Sequence, residues 1–315
     1  MKTESSTLMK PWVAARYEEK GKIMKTDIFV ELLSQTLSQE EMSSDIATAF
    51  QMFRDFEAKF SRFREESELS VFNAGEGGKI SEELFLLLQK CAFFHQETQG
   101  IFDPSILPVL EKVGYSGSTL PKTEKLSHVF SELIFDKENQ TVTKPKDVFI
   151  DFGGIGKGYI VDQVACFLSK KYTNGIVDAG GDIMTFGGDK MQGLDAFAID
   201  IENPFDPGQT LSMVLLSEMA IATSGLSRRH WIHEGKKEHH IIDPTTEESV
   251  HSGLMQVSVI LPNATMADVL AKTLLILGLD QGLSFAEERK IPALFVSENK
   301  TITRNSFFEH YEWKA

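Results

Sequence analysis

The glycine-rich segment at residues 151–163, DFGGIGKGYIVDQ, constrains the fold more than any other part of the chain. The apolar run just before it predicts a strand over residues 148–152, and the pattern after it predicts a helix over residues 159–171. Glycine lets a backbone approach a ligand closely, and a helix start offers unpaired N–H groups to a phosphate. The segment therefore predicts a strand–turn–helix unit, either purely structural or phosphate-binding.

Two common phosphate-binding motifs do not fit this spacing. A dinucleotide fingerprint that uses Gly154 and Gly156 requires a third glycine where Tyr159 stands. A P-loop requires Ser or Thr directly after its lysine, but Gly158 follows Lys157. The sequence therefore disfavours an NAD-type oxidoreductase and a P-loop nucleotidase.

The order of predicted elements favours an α+β fold with a largely antiparallel sheet flanked by helices, because helices cluster early and strands late. Ser38 and Glu41 form a predicted capping box at the start of a long helix. We expect a polar, aperiodic tail over residues 1–22 and one compact unit over residues 23–315, with a cleft between two lobes. The predicted strands lie at residues 23–33, 148–152, 176–178, 196–201, 211–216, 239–242 and 255–261. The predicted helices lie at residues 38–60, 82–98, 159–171, 265–277 and 281–288.

Charge and hydropathy exclude several partners. Asp and Glu outnumber Lys and Arg by 46 to 32, which gives a net charge of −14. Nucleic acids and anionic membranes attract basic surfaces, so neither is an expected partner of the whole surface. We expect no membrane span, because no apolar run approaches the ~18 residues that a transmembrane helix needs. The N-terminal residues show no signal-peptide pattern and no lipoprotein cysteine, so we expect a cytoplasmic protein.

Four further segments carry small or polar residues at positions suited to a binding site. AGGDI at 179–183 and TSG at 223–225 are predicted turns after strands. HHIIDPTT at 239–246 places His240 before an Asp-Pro turn, whereas His239 is expected to be solvated. Asp268 lies at the start of an apolar helix, where a buried carboxylate needs a cation, a cap or a ligand.

These segments, together with FSRFREESELSVFN at 60–73 and GIFDPS at 100–105, resemble the ApbE family of FAD:protein FMN transferases over about residues 23–280. The resemblance implies an α+β fold with an FAD cleft between lobes and Mg²⁺ at the pyrophosphate. It also implies transfer of FMN to a Thr or Ser hydroxyl of an acceptor protein as a phosphoester, with release of AMP. The alternative is a family member that binds FAD or FMN without transferring it. The family's acceptor motif, Asp-x-x-Ser/Thr-Gly-Ala-Ser/Thr, does not occur in this chain.

The resemblance also assigns roles to individual residues. His240 corresponds to the general base, and the Gly154 carbonyl and the Asp268 carboxylate correspond to metal ligands. The residues that correspond to flavin-nucleotide contacts are Met24, Thr26, Phe63, Ile101, Phe102, Asp103, Asp151, Lys157, Asp178, Gly180, Gly181, Asp182, Thr223, Ser224 and Gly225.

Four positions depart from the family pattern, one of them Glu247, which replaces a glycine. Lys25 replaces a glycine, Thr245 replaces an arginine, and Lys272 replaces a threonine that is the second side-chain metal ligand. Because residues four apart share a helix face, the Lys272 ammonium is predicted to lie against Asp268. A charged lysine donates hydrogen bonds and cannot ligate a metal. We therefore expect weak or absent Mg²⁺ binding and slow FMN transfer.

Overall fold

The computed structural model describes residues 15–115, 129–227 and 230–314. The seven α-helices in these ranges are α1 (Gln39–Phe60), α2 (Glu68–Ala74), α3 (Glu82–Glu97), α4 (Leu107–Lys112), α5 (Gly156–Ser169), α6 (Ala264–Glu288) and α7 (Ser306–Glu309). The strands are β1 (Ala15–Ile23), β2 (Thr26–Ser34), β3 (Gly77–Lys79), β4 (Ile134–Asp136), β5 (Thr141–Thr143), β6 (Asn174–Ala179), β7 (Ile183–Phe186), β8 (Phe197–Glu202), β9 (Thr210–Leu216), β10 (Ala220–Gly225), β11 (His230–His233), β12 (Lys236–His239), β13 (Ile242–Asp243), β14 (Glu248–Ser249), β15 (Leu254–Leu261), β16 (Ala293–Ser297) and β17 (Ile302–Arg304).

An eight-stranded sheet in the order β1-β2-β6-β7-β10-β15-β16-β17 forms the centre of the fold. Every neighbouring pair in it is antiparallel. Helices α1, α5 and α6 pack together and against this sheet. The predicted α+β class with a largely antiparallel sheet flanked by helices is confirmed.

The sheet buries apolar side chains on both faces, as the two-residue period of a strand allows. In β10, Ala220 and Ala222 belong to the core beneath the helices, whereas Ile221 between them belongs to the core on the other face. The β8–β9 hairpin and Phe308 of α7 cover that second face. The helix side of the sheet is therefore the face that carries the glycine-rich segment.

A third, smaller apolar cluster lies beside the main cores. It joins α4 to the segment around β11 and β13 through Leu110, Val113 and Ile242, with Trp231 packed against them. The Trp231 indole N–H donates a hydrogen bond of 2.8 Å to the Val113 carbonyl. Residues from this cluster form one wall of the cleft described below.

The N-terminal boundary differs from the prediction. The expected single strand at 23–33 is the second half of a hairpin, in which β1 pairs with β2 through a turn at Met24 and Lys25. Strand β1 therefore extends across the predicted boundary between tail and domain at residues 22 and 23. Its side chains are half-buried or exposed apart from Ile23, as befits an edge strand, so it lacks an apolar alternation.

The predicted strand at 148–152 is wrong, because among the described residues this stretch has no strand assignment beyond a single bridge at residue 148. Its backbone groups bond to a side chain and a loop instead. Asn73 bonds to both the N–H and the carbonyl of Ile150, and the Asp151 N–H donates to the Pro104 carbonyl at 2.8 Å. These partners lie far away in sequence, so local periodicity could not reveal them.

Two other segments differ from prediction, and a third agrees with it. TSG at 223–225 is not a turn but the end of β10, paired with β15. The predicted strand at 239–242 is divided between β12 and β13. The two predicted C-terminal helices lie on either side of a kink within α6 at Gly278, whose φ of 76° is readily adopted only by glycine.

Helix α6 is, within the described ranges, the one helix with the length and apolar composition of a membrane span. Half of its most apolar window is buried inside the protein, and it packs against β10 and β15. It also carries the charged pair Asp268 and Lys272. We interpret α6 as the core helix of this fold.

Candidate active site

Two adjoining cavities share lining residues from the glycine-rich turn, α5 and α6. The first, about 260 Å³, is walled largely by aromatic and aliphatic side chains, among them Phe60, Phe63 and Tyr115. The second, about 740 Å³, is lined by small and polar residues at the ends of β2, β6 and β10. Five residues line both cavities and thus define their junction: Gly153, Lys157, His240, Ile241 and Lys272.

The structure brings nearly all the sequence-predicted site residues to these two cavities. The first cavity is lined by Met24, Phe63, Ile101, Phe102, Asp103, Asp151, Gly154, Lys157 and His240. The second is lined by Thr26, Lys157, Asp178, Gly180, Gly181, Thr223, Ser224, Gly225, His240 and Asp268. Asp182 lies behind the cavity wall, fully buried, and contacts the junction through Lys157.

The glycine-rich turn begins α5 earlier than predicted, at Gly156 instead of residue 159. Its first turn therefore lines the cleft through Gly156 and Lys157, and the Gly156 N–H donates a hydrogen bond of 2.7 Å to the Phe152 carbonyl. Upstream, Asp151 Oδ1 accepts a hydrogen bond of 2.7 Å from the Gly153 N–H, which fixes the turn. Asp103 steadies the neighbouring loop, since its Oδ1 accepts bonds from the N–H and hydroxyl of Ser105.

Arg62 is a site residue that sequence reasoning missed. Its buried guanidinium forms an ion pair of 2.8 Å with Asp151 and lies 4.4 Å from the Phe63 ring centroid and 4.8 Å from that of Tyr115. Its Nη1 has no hydrogen-bond partner among the described residues. The only available signal was its place beside Phe63 in FSRF, which did not distinguish it from a surface arginine.

The β1–β2 turn places Lys25 at the rim of the first cavity. Met24 and Lys25 have φ values of 54° and 56°, as a tight hairpin turn with two left-handed residues requires. The Lys25 ammonium lies 4.0 Å from the Phe63 ring centroid, within range of a cation–π contact. The lysine at the family's glycine position thus covers the aromatic ring expected to pack on the nucleotide.

Small residues and a tight turn shape the second cavity. Gly180 has a φ of 69°, and a Cβ atom there would lie 2.0 Å from the Thr26 hydroxyl, so only glycine fits. Asp178 accepts a hydrogen bond of 2.8 Å from the Gly181 N–H and closes the turn. The Thr223 hydroxyl is paired with that of Ser258 on β15.

Helices α5 and α6 meet in close contact beneath the junction. A Cβ atom on Gly158 would lie 2.3 Å from the Ala264 carbonyl oxygen, so glycine permits this approach. Asp162 of α5 accepts hydrogen bonds from the N–H groups of Ala264 and Thr265 and so caps α6. In return, the Gly158 N–H lies 3.3 Å from Asp268 Oδ2 and donates to it. These contacts place Asp268 against the first turn of α5.

Two lysine–aspartate pairs surround the junction. Lys157 pairs with the buried Asp182, and Lys272 pairs with the buried Asp268. Burial and the nearby Asp268 carboxylate raise the pKa of Asp182 to about 7, although both lysines act in the opposite direction. Burial also acts to raise the pKa of Asp268, but Lys272 and Lys157 outweigh it, so that pKa lies below its ordinary value.

Lys272 occupies the place that the family pattern assigns to a metal ion. Its Nζ lies 2.9 Å from Asp268 Oδ1 and 3.4 Å from the Gly154 carbonyl oxygen, the two predicted metal ligands. Within the described ranges, no cluster of three or more His, Cys, Asp or Glu is arranged to hold a metal ion. Mg²⁺ prefers several oxygen ligands in octahedral geometry. The residues present therefore do not fit Mg²⁺ in this arrangement.

Adjacent histidines have opposite environments. His239 is buried rather than solvated as expected: its Nε2 lies 2.9 Å from the Val250 carbonyl oxygen, and burial lowers its pKa. His240 is half-buried and lines both cavities at the junction. A histidine with access to both cavities can exchange a proton with a group bound there.

The α+β fold carries an aromatic cavity and a glycine-lined polar cavity, joined where two lysines and a histidine meet, which is an arrangement suited to a ligand with two parts and a negatively charged linker. Comparisons with known proteins identify it further. The sequence profile of the ApbE family matches residues 24–295, and the chain belongs to this family.

Individual relatives agree with that assignment. The chain is 28% identical to the FAD:protein FMN transferase of Haemophilus influenzae over 310 residues, covering 91% of this chain and 88% of that protein. It is 32% identical to the FAD:protein FMN transferase of Chlamydia muridarum over 259 residues, covering 77% and 79%. The crystal structure of the ApbE protein of Thermotoga maritima superposes with a TM-score of 0.84 at 25% identity, covering 95% of this chain and all of that one.

Proposed function

We propose that the chain is an FAD:protein FMN transferase, which moves FMN from FAD to a Ser or Thr hydroxyl of an acceptor protein. The observation that carries this proposal is the junction, where His240, Lys157 and Lys272 meet between two cavities. FAD has two ring systems joined through a pyrophosphate, so a two-part cleft with ammonium groups at its centre matches its shape and charge. The names of the two relatives support the same activity.

The chemical step requires a positioned hydroxyl, a base and charge stabilisation. The acceptor oxygen bonds to the phosphorus on the FMN side of the pyrophosphate. The bond from that phosphorus to the oxygen it shares with AMP breaks, and the electron pair leaves with AMP. The hydroxyl proton passes to His240 and then to solvent, as general-base catalysis requires. The Lys157 ammonium stabilises the negative charge on the phosphoryl oxygens.

The polar surroundings of the junction favour this step. Lys157 is held by the buried Asp182, so its ammonium is fixed before the substrate arrives. Fixed donors stabilise a transition state at less cost than donors that must reorganise. The glycine-rich turn is also fixed, because Asp151 accepts a hydrogen bond from the Gly153 N–H and is itself paired with Arg62.

A second candidate is a flavin-binding protein that does not transfer FMN. The observation that favours it is Lys272, which fills the family's metal position. Both candidates predict that FAD binds in the cleft, so an FAD titration alone does not distinguish them. Transfer to an acceptor distinguishes them.

The test combines binding and transfer. FAD is titrated into the protein while flavin fluorescence is followed, and the protein is then incubated with FAD and a peptide that carries the family's acceptor motif. We expect quenching at micromolar FAD, a peptide mass gain of one FMN and release of AMP. His240→Ala should slow transfer by ~10²–10⁴ and leave FAD binding intact.

His230→Ala is the matched control, because His230 is an exposed strand histidine outside both cavities. It should transfer FMN at the native rate. A native protein that fails to bind FAD at ~100 µM, well short of a micromolar site, contradicts both candidates. FAD binding without any mass gain contradicts the transferase and supports the flavin-binding alternative.

A further inference from the structure

Lys272 projects from α6 into the junction. Its side chain is 16% exposed and lines both cavities, whereas the Asp268 side chain beneath it is 2% exposed. The lysine is therefore more accessible to a bound ligand than its carboxylate partner, which is almost fully buried at the edge of the second cavity.

We propose that the Lys272 ammonium is a built-in cation that replaces the divalent ion at the FAD pyrophosphate, so that FAD binding and FMN transfer in this protein need no metal. This inference rests on the proposed function and identifies the group that neutralises the substrate at that same site. The charge is supplied by the chain itself, at the position between the Gly154 carbonyl and Asp268.

The hydrogen-bonding capacity of lysine suits this role. An ammonium group has three N–H donors. The Gly154 carbonyl and Asp268 account for two of them, which leaves one for a phosphate oxygen. A hydrogen bond between an ammonium and a phosphate is charge-assisted and stronger than a neutral one.

The surroundings keep the carboxylate from a competing ion. Asp268 Oδ1 bonds to Lys272, and Oδ2 accepts the hydrogen bond from the Gly158 N–H. A divalent ion would have to displace an ammonium that is tethered to the same helix as this carboxylate. The remaining protein oxygen, the Gly154 carbonyl, is a single weak ligand by itself.

The first experiment measures divalent binding directly and needs no activity. Mn²⁺ serves as the probe and is followed by electron paramagnetic resonance in the native protein and in Lys272→Thr. Lys272→Thr adds a hydroxyl oxygen beside Asp268 and Gly154 and removes the competing charge. We expect no saturable Mn²⁺ binding by the native protein and one site in Lys272→Thr.

Lys171→Thr is the matched control. Lys171 forms a lysine–carboxylate pair of 2.7 Å with Asp45 and lines neither cavity. This variant should bind Mn²⁺ no better than the native protein. One stoichiometric Mn²⁺ site in the native protein that is lost in Asp268→Asn would overturn the proposal.

The second experiment measures FAD binding in EDTA and in Mg²⁺. The native protein should bind FAD equally in both. Lys272→Met should bind FAD about 10-fold to 100-fold more weakly in both, as expected for the loss of one charge-assisted hydrogen bond. Because Lys272→Met leaves a buried charge unpaired, the double variant Lys272→Met/Asp268→Asn removes both charges and should show the same loss.

The outcomes separate this inference from the proposed function. FAD binding or FMN transfer by the native protein that requires Mg²⁺ contradicts the built-in cation but leaves the transferase in place. A native protein that binds no FAD in either buffer contradicts the proposed function itself. Equal FAD binding in both buffers, with weaker binding in both lysine variants, supports the built-in cation.

Discussion

The close contact between α5 and α6 makes Gly158→Ala a sensitive test of how the site is built. The added Cβ would lie 2.3 Å from the Ala264 carbonyl oxygen and 2.9 Å from the Thr265 Cα. An ordinary contact is about 3.5 Å, so the two helices must move apart by about 1 Å. The opposing atoms belong to the backbone, so no side-chain rotation can relieve the overlap.

The expected loss of stability follows from two opposing terms. Forced overpacking costs about 1–3 kcal/mol. Replacing glycine by alanine in a helix stabilises the folded state by about 1 kcal/mol. We expect Gly158→Ala to lower the free energy of unfolding by up to about 2 kcal/mol. Because the Gly158 N–H donates to Asp268, the separation should also move Asp268 and Lys272 and weaken FAD binding.

Gly156→Ala is the matched control on the same helix. Its Cβ would lie 3.4 Å from the Phe56 ring, which is an ordinary contact. This variant should keep the native stability or gain up to about 1 kcal/mol. Urea unfolding followed by circular dichroism measures both variants. If the Gly158→Ala and Gly156→Ala variants have equal free energies of unfolding, the close α5–α6 contact at Gly158 does not have the effect described.

Three further predictions concern the residues that support the site. Asn73→Leu should lower the free energy of unfolding by about 2–4 kcal/mol, because both buried backbone groups of Ile150 lose their partner, and urea unfolding measures this loss. Burial lowers the pKa of Lys144 to about 8, so between about pH 8 and 10 the unfolded chain binds more protons than the native one. Stability should therefore rise with pH across that window in the native protein, and this rise should be absent from Lys144→Met; identical pH profiles would contradict the assignment. Asp162→Ala should remove three hydrogen bonds at the start of α6, from the Ala264 N–H and from the N–H and hydroxyl of Thr265, and cost about 1–2 kcal/mol, as for the loss of a helix cap; an unchanged urea midpoint would show that this cap does not stabilise α6.

Local patterns predicted the elements whose stabilising contacts are close in sequence. The capping box of Ser38 and Glu41 lies where predicted, because both partners belong to one helical turn. The i,i+4 pair of Asp268 and Lys272 was predicted for the same reason. Its second contact, with the Gly154 carbonyl, joins residues that are more than a hundred positions apart, so the structure was needed to find it.

The sequence did not predict residues whose contact partners are remote in the chain, or strands whose side chains are mostly exposed. Arg62 has its role because Asp151 and Tyr115 fold against it, and no spacing rule relates these three residues. Strand β1 has few buried side chains, so its polar sequence resembles a tail. His239 and His240 are adjacent histidines, and only His240 lines the cleft. The local sequence pattern did not distinguish them; the resemblance to the ApbE family did.

A crystal structure of the protein with FAD and Mn²⁺ tests the central claim most directly. The account predicts FAD across both cavities, with a pyrophosphate oxygen within hydrogen-bonding distance of the Lys272 Nζ. It also predicts no anomalous signal from manganese between the Gly154 carbonyl and Asp268. FAD bound outside the cleft, or a manganese ion at that position with Lys272 turned away from Asp268, would contradict it.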